Sequence, residues 1–181
     1  LQSQATNDQA LIQALEAAGG RVTAVARVHE RLYRDPDIHE VDLSAYLTDV
    51  CRDLGKVLAP CTIDFAAPSP VRLATDRAVL VALLVGELVT NAAKHGYIHG
   101  VPGAIKVRLT HDDGTSAVVT IRDDGAGLPA DFDLAAQAGF GMKIVRAFLQ
   151  QTGAELSVHK RTPGTEFVIQ IPSDSVDTFV A

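Results

Sequence analysis

Cysteine is scarce in this chain: Cys51 and Cys61 are the only two among 181 residues, and they do not form a Cys-x-x-Cys pair. A disulfide framework or a thiolate metal site needs more, so both are read as reduced thiols of a cytosolic protein. No apolar run approaches the ~20 residues of a membrane span. The longest, Ala78 to Val89, is interrupted by Gly86 and Glu87, so no membrane contact is expected. Concentrated positive charge is missing as well. The 16 basic residues are scattered and the net charge is -6, which argues against a nucleic-acid footprint. Neither a P-loop nor a strand-led Rossmann fingerprint occurs. Residue 1 is Leu and no signal peptide follows it, so the chain is expected to be a piece of a longer one.

The hydrophobic share is 47%, too high for a disordered chain, and the length suits one packed domain plus an appendage. The stretch Glu87-Leu-Val-Thr-Asn91-Ala-Ala-Lys94-His95 organises the rest. It continues a run, Ala78 to Val85, that is apolar on every side and therefore reads as a buried helix. One stripe at helical spacing runs Leu80, Leu84, Glu87, Asn91, His95. A buried carboxylate costs several kcal/mol unless it is paired, hydrogen-bonded or metal-bound. The first half of this helix is accordingly read as core, and its C-terminal half as the wall of a polar pocket.

Before it, Leu11, Leu15, Ala18, Val22, Val25, His29 and Leu32 form a heptad seam, capped by Asn7 or Asp8 and stopped at Asp35-Pro36. Gly19-Gly20 weakens that helix, so it needs a partner to stand. Residues 36–41 read as a linker. A second helix follows from about Ser44, with Leu43, Leu47, Val50/Cys51, Leu54 and Val57/Leu58 on one face and Pro60 as its stop. Short strands are expected at Thr62–Phe65 and Val71–Leu73, and Thr75 or Asp76 caps the central helix. Ala104–Thr110 and Ala117–Ile121 alternate around an Asp113-Gly114 turn. A further helix follows Gly139-Phe-Gly141 and is capped by Gly153, and a last hairpin turns at Thr162-Pro163-Gly164. This order implies an α+β sandwich with helices on one face of a largely antiparallel sheet.

Three features carry chemistry. Asp123 ends a buried strand and is followed by Gly125 and Gly127, so a carboxylate and an open backbone can meet a flat ring. Gly139-x-Gly141 opens a helix, where free N–H groups and the dipole attract phosphate. Asn91 offers a neutral oxygen to a hard cation such as Mg2+, which takes phosphate oxygens and waters as its other ligands.

These residues resemble the boxes of the Bergerat (GHKL) ATP-binding fold shared by gyrases, Hsp90-type chaperones, MutL and histidine kinases. Glu87 to His95 is similar to its N box, Asp123-Asp-Gly-Ala-Gly127 to its G1 box, Gly139-Phe-Gly141 to its G2 box, and Gly164-Thr165 to its last glycine motif. The first segment, Arg21 to Tyr33 and then Val41-Asp-Leu, resembles the second dimerisation helix of the HisKA_2/HWE-type bacterial sensor histidine kinases. The resemblance implies a two-layer α/β sandwich over residues 42–172, preceded by a partial dimerisation and phosphotransfer region at 1–35 and followed by a tail at 173–181. It implies ATP and Mg2+ as cofactors. Asp123 would accept from the adenine amine, with Gly125 and Gly127 shaping the base pocket and Thr165 close by. Asn91 would coordinate Mg2+, Lys94 and His95 would lie at the nucleotide, and Gly139 and Gly141 would bind phosphate. Glu87 would be the catalytic acidic residue, polarising the attacking group or a metal-bound water, and Leu128 to Ala138 the ATP lid. A homodimer through residues 9–34 and a response-regulator receiver domain are the implied partners.

The phospho-accepting histidine of that family lies on the first dimerisation helix, which in this register ends around Leu1 to Ala5 and so places the acceptor upstream. None of His29, His39, His95, His99, His111 and His159 occupies that position. Two rival readings remain: an anti-sigma-factor-like serine kinase, and a scaffold that kept the fold without catalysis.

Overall fold

Alternation along three strands decides which way the sheet faces. Ile105, Val107 and Leu109, then Ala117, Val119 and Ile121, then Phe167, Ile169 and Ile171 are all buried, while the residues between them are half-buried or exposed. The structure is a computed structural model that describes residues 40–97, 102–112, 116–129, 132–134 and 140–172. The seam helix with His29, residues 36–39 of the linker, the Asp113-Gly114 turn, Gly139 with most of the lid segment, and the tail after Pro172 lie outside the described residues.

In chain order the elements are β1 (Glu40–Asp42), α1 (Leu43–Val57), β2 (Thr62–Ala66), β3 (Arg72–Ala74), α2 (Thr75–Gly96), β4 (Ala104–Asp112), β5 (Ser116–Asp123), α3 (Phe140–Thr152), β6 (Glu155–Lys160) and β7 (Thr165–Pro172). Five strands form one sheet in the order β2-β4-β5-β7-β6. β2 runs parallel to β4 and the other pairs are antiparallel, which gives the mixed, mostly antiparallel sheet the sequence implies. On the inner face Leu109, Val119, Ile169 and Leu156 stand in one row. On the opposite face Asp64, Lys106, Arg122, Glu166 and His159 stand in another, a solvated row of mixed charge. All three helices pack on the apolar face: Leu43, Leu47 and Cys51 of α1, the buried side of α2, and Val145 of α3 join the sheet in one core.

α2 is the floor of that core. Val81, Leu84, Val85, Leu88 and Val89 are fully buried, although Val79, Leu80 and Leu83 are only half-buried, so the run is less uniformly enclosed than its composition implies. By length and hydropathy Thr75–Gly96 would pass as a membrane span, yet half of its most apolar window is buried within this domain. Neither Thr75 nor Asp76 caps it. The N-cap is Ala74, without a side-chain hydrogen bond, and Asp76 accepts instead from Arg77 N at 2.8 Å inside the first turn. The start of α2 is tied down from a distance: Arg77 Nη2 donates to the Thr152 and Pro172 carbonyls at 2.8 and 2.9 Å.

Other differences have the same kind of cause. The short strands on either side of Pro68-Ser-Pro70 do not pair with each other. β2 joins β4, and β3 joins β1, a strand in the stretch read as linker. Nothing in a three-residue run specifies its partner. Asp42 caps α1 through Oδ1, accepting from Ser44 N at 2.8 Å and Ala45 N at 3.2 Å. Of the Val57/Leu58 pair expected on the apolar face, Leu58 packs against the core, while Val57 in the last turn of α1 is 78% exposed. Gly153, at φ +66°, ends α3 as a left-handed cap. Cys51 and Cys61 are free and buried, and burial pushes the Cys51 thiol up to about 12, which leaves it unreactive.

Leu88→Ala, which empties a fully buried site, should lower stability by about 2–5 kcal/mol in urea unfolding. Val57→Ser, at an exposed site, should stay within about 0.5 kcal/mol of the parent.

Candidate functional site

The parity that buries Ala117, Val119 and Ile121 carries the last residue of β5 inward as well. Asp123 lies in register with Ile105, only 3% exposed. A carboxylate there must be solvated by the protein. Its Oδ1 accepts from Gly125 N at 3.0 Å and Thr165 N at 3.3 Å. Burial pushes the Asp123 carboxyl above the ordinary carboxylate range; the two amides oppose that rise and the neighbouring charge of Asp124 adds to it.

The loop after Asp123 is wedged between two backbones. On one side is the end of α2: Ala126 N donates to the Gly96 carbonyl at 2.8 Å, and a Cβ on Gly125 would overlap that same Gly96 backbone. On the other side is the β6–β7 turn. Gly164 adopts φ +93°, and a Cβ there would run into the Asp123 carbonyl. A Cβ on Gly127 would stand 3.3 Å from Gly164 O. Only glycine allows these approaches. Thr165, the next residue, opens β7 and is 3% exposed.

A second group gathers where α2 meets α3. Glu87 is buried, 5% exposed, and Gly141 in the first turn of α3 lies so close that a Cβ there would stand 2.9 Å from Glu87 Oε2. Asn91, one turn further along α2, is half-buried, and its Nδ2 makes a long contact of 4.0 Å with Met142 Sδ. α2 joins the two groups, because a Cβ on its last residue, Gly96, would stand 3.2 Å from Asp123 Oδ1. From Glu87 to Gly96 the helix rises about 14 Å. Lys94 and His95 are exposed on its last turn. Thus Asp123, Gly125, Gly127 and Thr165 form one cluster, and Glu87, Asn91 and Gly141 the other. Gly139 lies outside the described residues.

Sequence reasoning missed Tyr97. Its hydroxyl donates within reach of the Ala104 carbonyl at 2.7 Å and the Asp124 carboxylate, and accepts from Asp124 N at 3.1 Å. The one available signal was the second carboxylate of the Asp123-Asp124 pair, which a simple turn does not require. A cavity of about 350 Å³ lies beside the first cluster, lined by Leu128, Phe132, Asp133, Leu134, Val158 and Lys160. Lys160 pairs with Thr165 in the sheet and donates to the Pro129 carbonyl at 2.8 Å. Among the described residues no three His, Cys, Asp or Glu side chains form a metal cage.

Comparison with known proteins agrees with this geometry. Residues 76–175 match the family described as histidine kinase-, DNA gyrase B-, and HSP90-like ATPase, and residues 1–58 match the HisKA_2 histidine kinase family. Blue-light-activated histidine kinase 2 of Erythrobacter litoralis is 35% identical over 111 residues, covering 61% of this chain and 32% of that protein. Sensor histidine kinase PdtaS of Mycolicibacterium smegmatis is 29% identical over 178 residues, covering 95% of this chain and 35% of its own. Anti-sigma F factor of Geobacillus stearothermophilus is 31% identical over 99 residues, covering 49% of this chain and 66% of its own. The solved histidine kinase domain of the Erythrobacter litoralis EL346 blue-light-activated kinase superposes with a TM-score of 0.72 at 28% identity, covering 89% of this chain and 81% of that one. The chain spans about a third of the length of the two histidine kinase relatives. With the N-box helix, the buried Asp123 and the α+β sandwich in place, the chain belongs to the histidine kinase-, DNA gyrase B- and HSP90-like ATPase family.

Proposed function

We propose that this chain is the ATP-binding catalytic part of a two-component sensor histidine kinase. It binds Mg-ATP and directs the γ-phosphate to a histidine upstream of residue 1, from which it passes to an aspartate of a response-regulator receiver domain. The observation that carries this reading is the meeting of Glu87 and Asn91 with the first turn of α3 at Gly141 and Met142, on the same helix whose last residue abuts Asp123.

Each residue has a task that its surroundings support. Both backbone hydrogen bonds to Asp123 fall on Oδ1, so Oδ2 is available to accept from an exocyclic amine, which selects adenine. Gly125 and Gly127 keep the backbone beside the base bare, and Thr165 sits next to it. Gly141 presents its amide in the first turn of α3, where the helix dipole favours phosphate, and Gly139, outside the described residues, is assigned to phosphate with it. Asn91 supplies a carboxamide oxygen to Mg2+, and Lys94 and His95 lie toward the phosphates on the exposed last turn. Glu87 polarises the attacking group from a buried position, and bound Mg-ATP supplies the phosphoryl group. The rest is positioning and charge neutralisation. A homodimer through residues 9–34 and a cytoplasmic location complete the reading. The anti-sigma F likeness keeps a serine kinase as the second reading; the HisKA_2 match at residues 1–58 favours histidine.

Calorimetric titration with a non-hydrolysable ATP analogue should show binding that Mg2+ strengthens; no binding at millimolar nucleotide would overturn the proposal. Asp123→Asn should weaken that binding about tenfold or more, since the carboxamide keeps its oxygen on the two backbone amides and turns an NH2 toward the amine. The same change has an opposite effect on stability. The folded carboxyl titrates above its unfolded value of 3.8, so the native state binds the extra proton between those two values, and stability falls as pH rises through them. Asp123→Asn should therefore raise Tm at pH 7, and the gain should vanish below pH 3.8. Glu87→Gln should bind the analogue nearly as the parent does, yet slow transfer of labelled γ-phosphate to the acceptor helix by about 10²–10⁴-fold.

A further inference from the structure

We infer that Tyr97 is a positioning residue for base recognition, acting through Asp124 to fix the Asp123 carboxylate against the end of α2. This inference rests on the reading of Asp123 as the acceptor of the adenine amine. Asp123 makes two hydrogen bonds on one oxygen, from Gly125 N in the loop after β5 and from Thr165 N at the first residue of β7. Neither bond holds the second oxygen, Oδ2, or the Asp124 backbone that follows Asp123. The Tyr97 hydroxyl holds that backbone. It has one proton and two lone pairs. It accepts from Asp124 N at 3.1 Å, and its proton lies between the Asp124 carboxylate and the Ala104 carbonyl. The backbone immediately after Asp123 is thereby fastened both to the first residue of β4 and to the residue that follows α2.

Two backbone features show that the clasp is built in. Gly103 has no Cβ where one would enter the Tyr97 ring, so the ring lies flat on the backbone leading into β4. Gly125 has none where one would enter Gly96, and Ala126 N closes the same seam on the Gly96 carbonyl. The titrations follow from these same contacts. Burial and the Asp124 carboxylate push the Tyr97 phenol up to about 12, and donation from Tyr97 is the chief cause that lowers the Asp124 carboxyl. Asp124 itself is exposed, so the pair is a surface latch over a buried acceptor.

Positioning of Asp123 is read out by comparing ADP with purine riboside diphosphate, which lacks the exocyclic amine. The parent chain should prefer ADP about tenfold. Tyr97→Phe keeps the ring on Gly103 and removes only the hydroxyl. It should weaken ADP about tenfold while changing purine riboside diphosphate by less than about twofold. Equal loss for both nucleotides would make Tyr97 merely structural and overturn the inference, and so would undiminished preference for ADP. If the parent chain itself shows no preference, the assignment of Asp123 fails first and the role of Tyr97 falls with it. Asp124→Ala serves as the second variant, because it alters an exposed side chain and leaves the phenol and Asp123 in place. It should reduce the preference for ADP about threefold, and full preference in a folded Asp124→Ala protein would equally overturn the inference.

Discussion

A carboxylate turned into a protein interior loses its water and costs several kcal/mol unless the protein supplies donors in exchange. Asp123 is that carboxylate here, and much of the local backbone is arranged to keep it in place. The amides of Gly125 and Thr165 replace part of its hydration. To bring them close, the loop after β5 must press against both Gly96 and Gly164, and side chains at Gly125 or Gly164 would prevent it. A carboxyl that is still held above its ordinary range, despite two amides, has been placed where folding alone would not choose to place it. Such sites are where function is commonly found.

α2 connects this acceptor to the rest of the chemistry. Its buried side joins the sheet in a common core, its end touches Asp123 through Gly96, and its middle sets Glu87 against Gly141. Because one rigid helix carries these residues, the two clusters cannot drift apart independently. Arg77 fastens the start of the same helix to the ends of α3 and β7. The exposed Lys94 and His95 lie on its last turn, facing solvent where a charged ligand can reach them.

Much of this was legible residue by residue. Alternation named the inner faces of β4 and β5, and continuing that parity to Asp123 turned an ordinary Asp-Asp-Gly into a buried carboxylate. The all-apolar run in α2 followed by Glu87 marked a core helix with a polar end. Glycine at 125, 127, 141 and 164 marked close backbone approaches, although not what approaches. Local signals misled where the energetics are shared across the chain. Thr75 and Asp76 look like caps, but the N-cap is Ala74, and the start of α2 is instead anchored by Arg77, which donates to the distant Thr152 and Pro172 carbonyls. Val57 and Leu58 both look like face residues, and packing chose Leu58.

What the sequence by itself determined is the class of fold, the core faces and the residue types of the two clusters, because burial and backbone sterics act through short-range pattern. What only the tertiary structure decided is partnership: β2 beside β4, β1 beside β3, Gly141 against Glu87, and Tyr97 on Asp124, 27 positions away. Pairings of that kind depend on which surfaces meet once the chain has collapsed, and no periodicity within either segment encodes them.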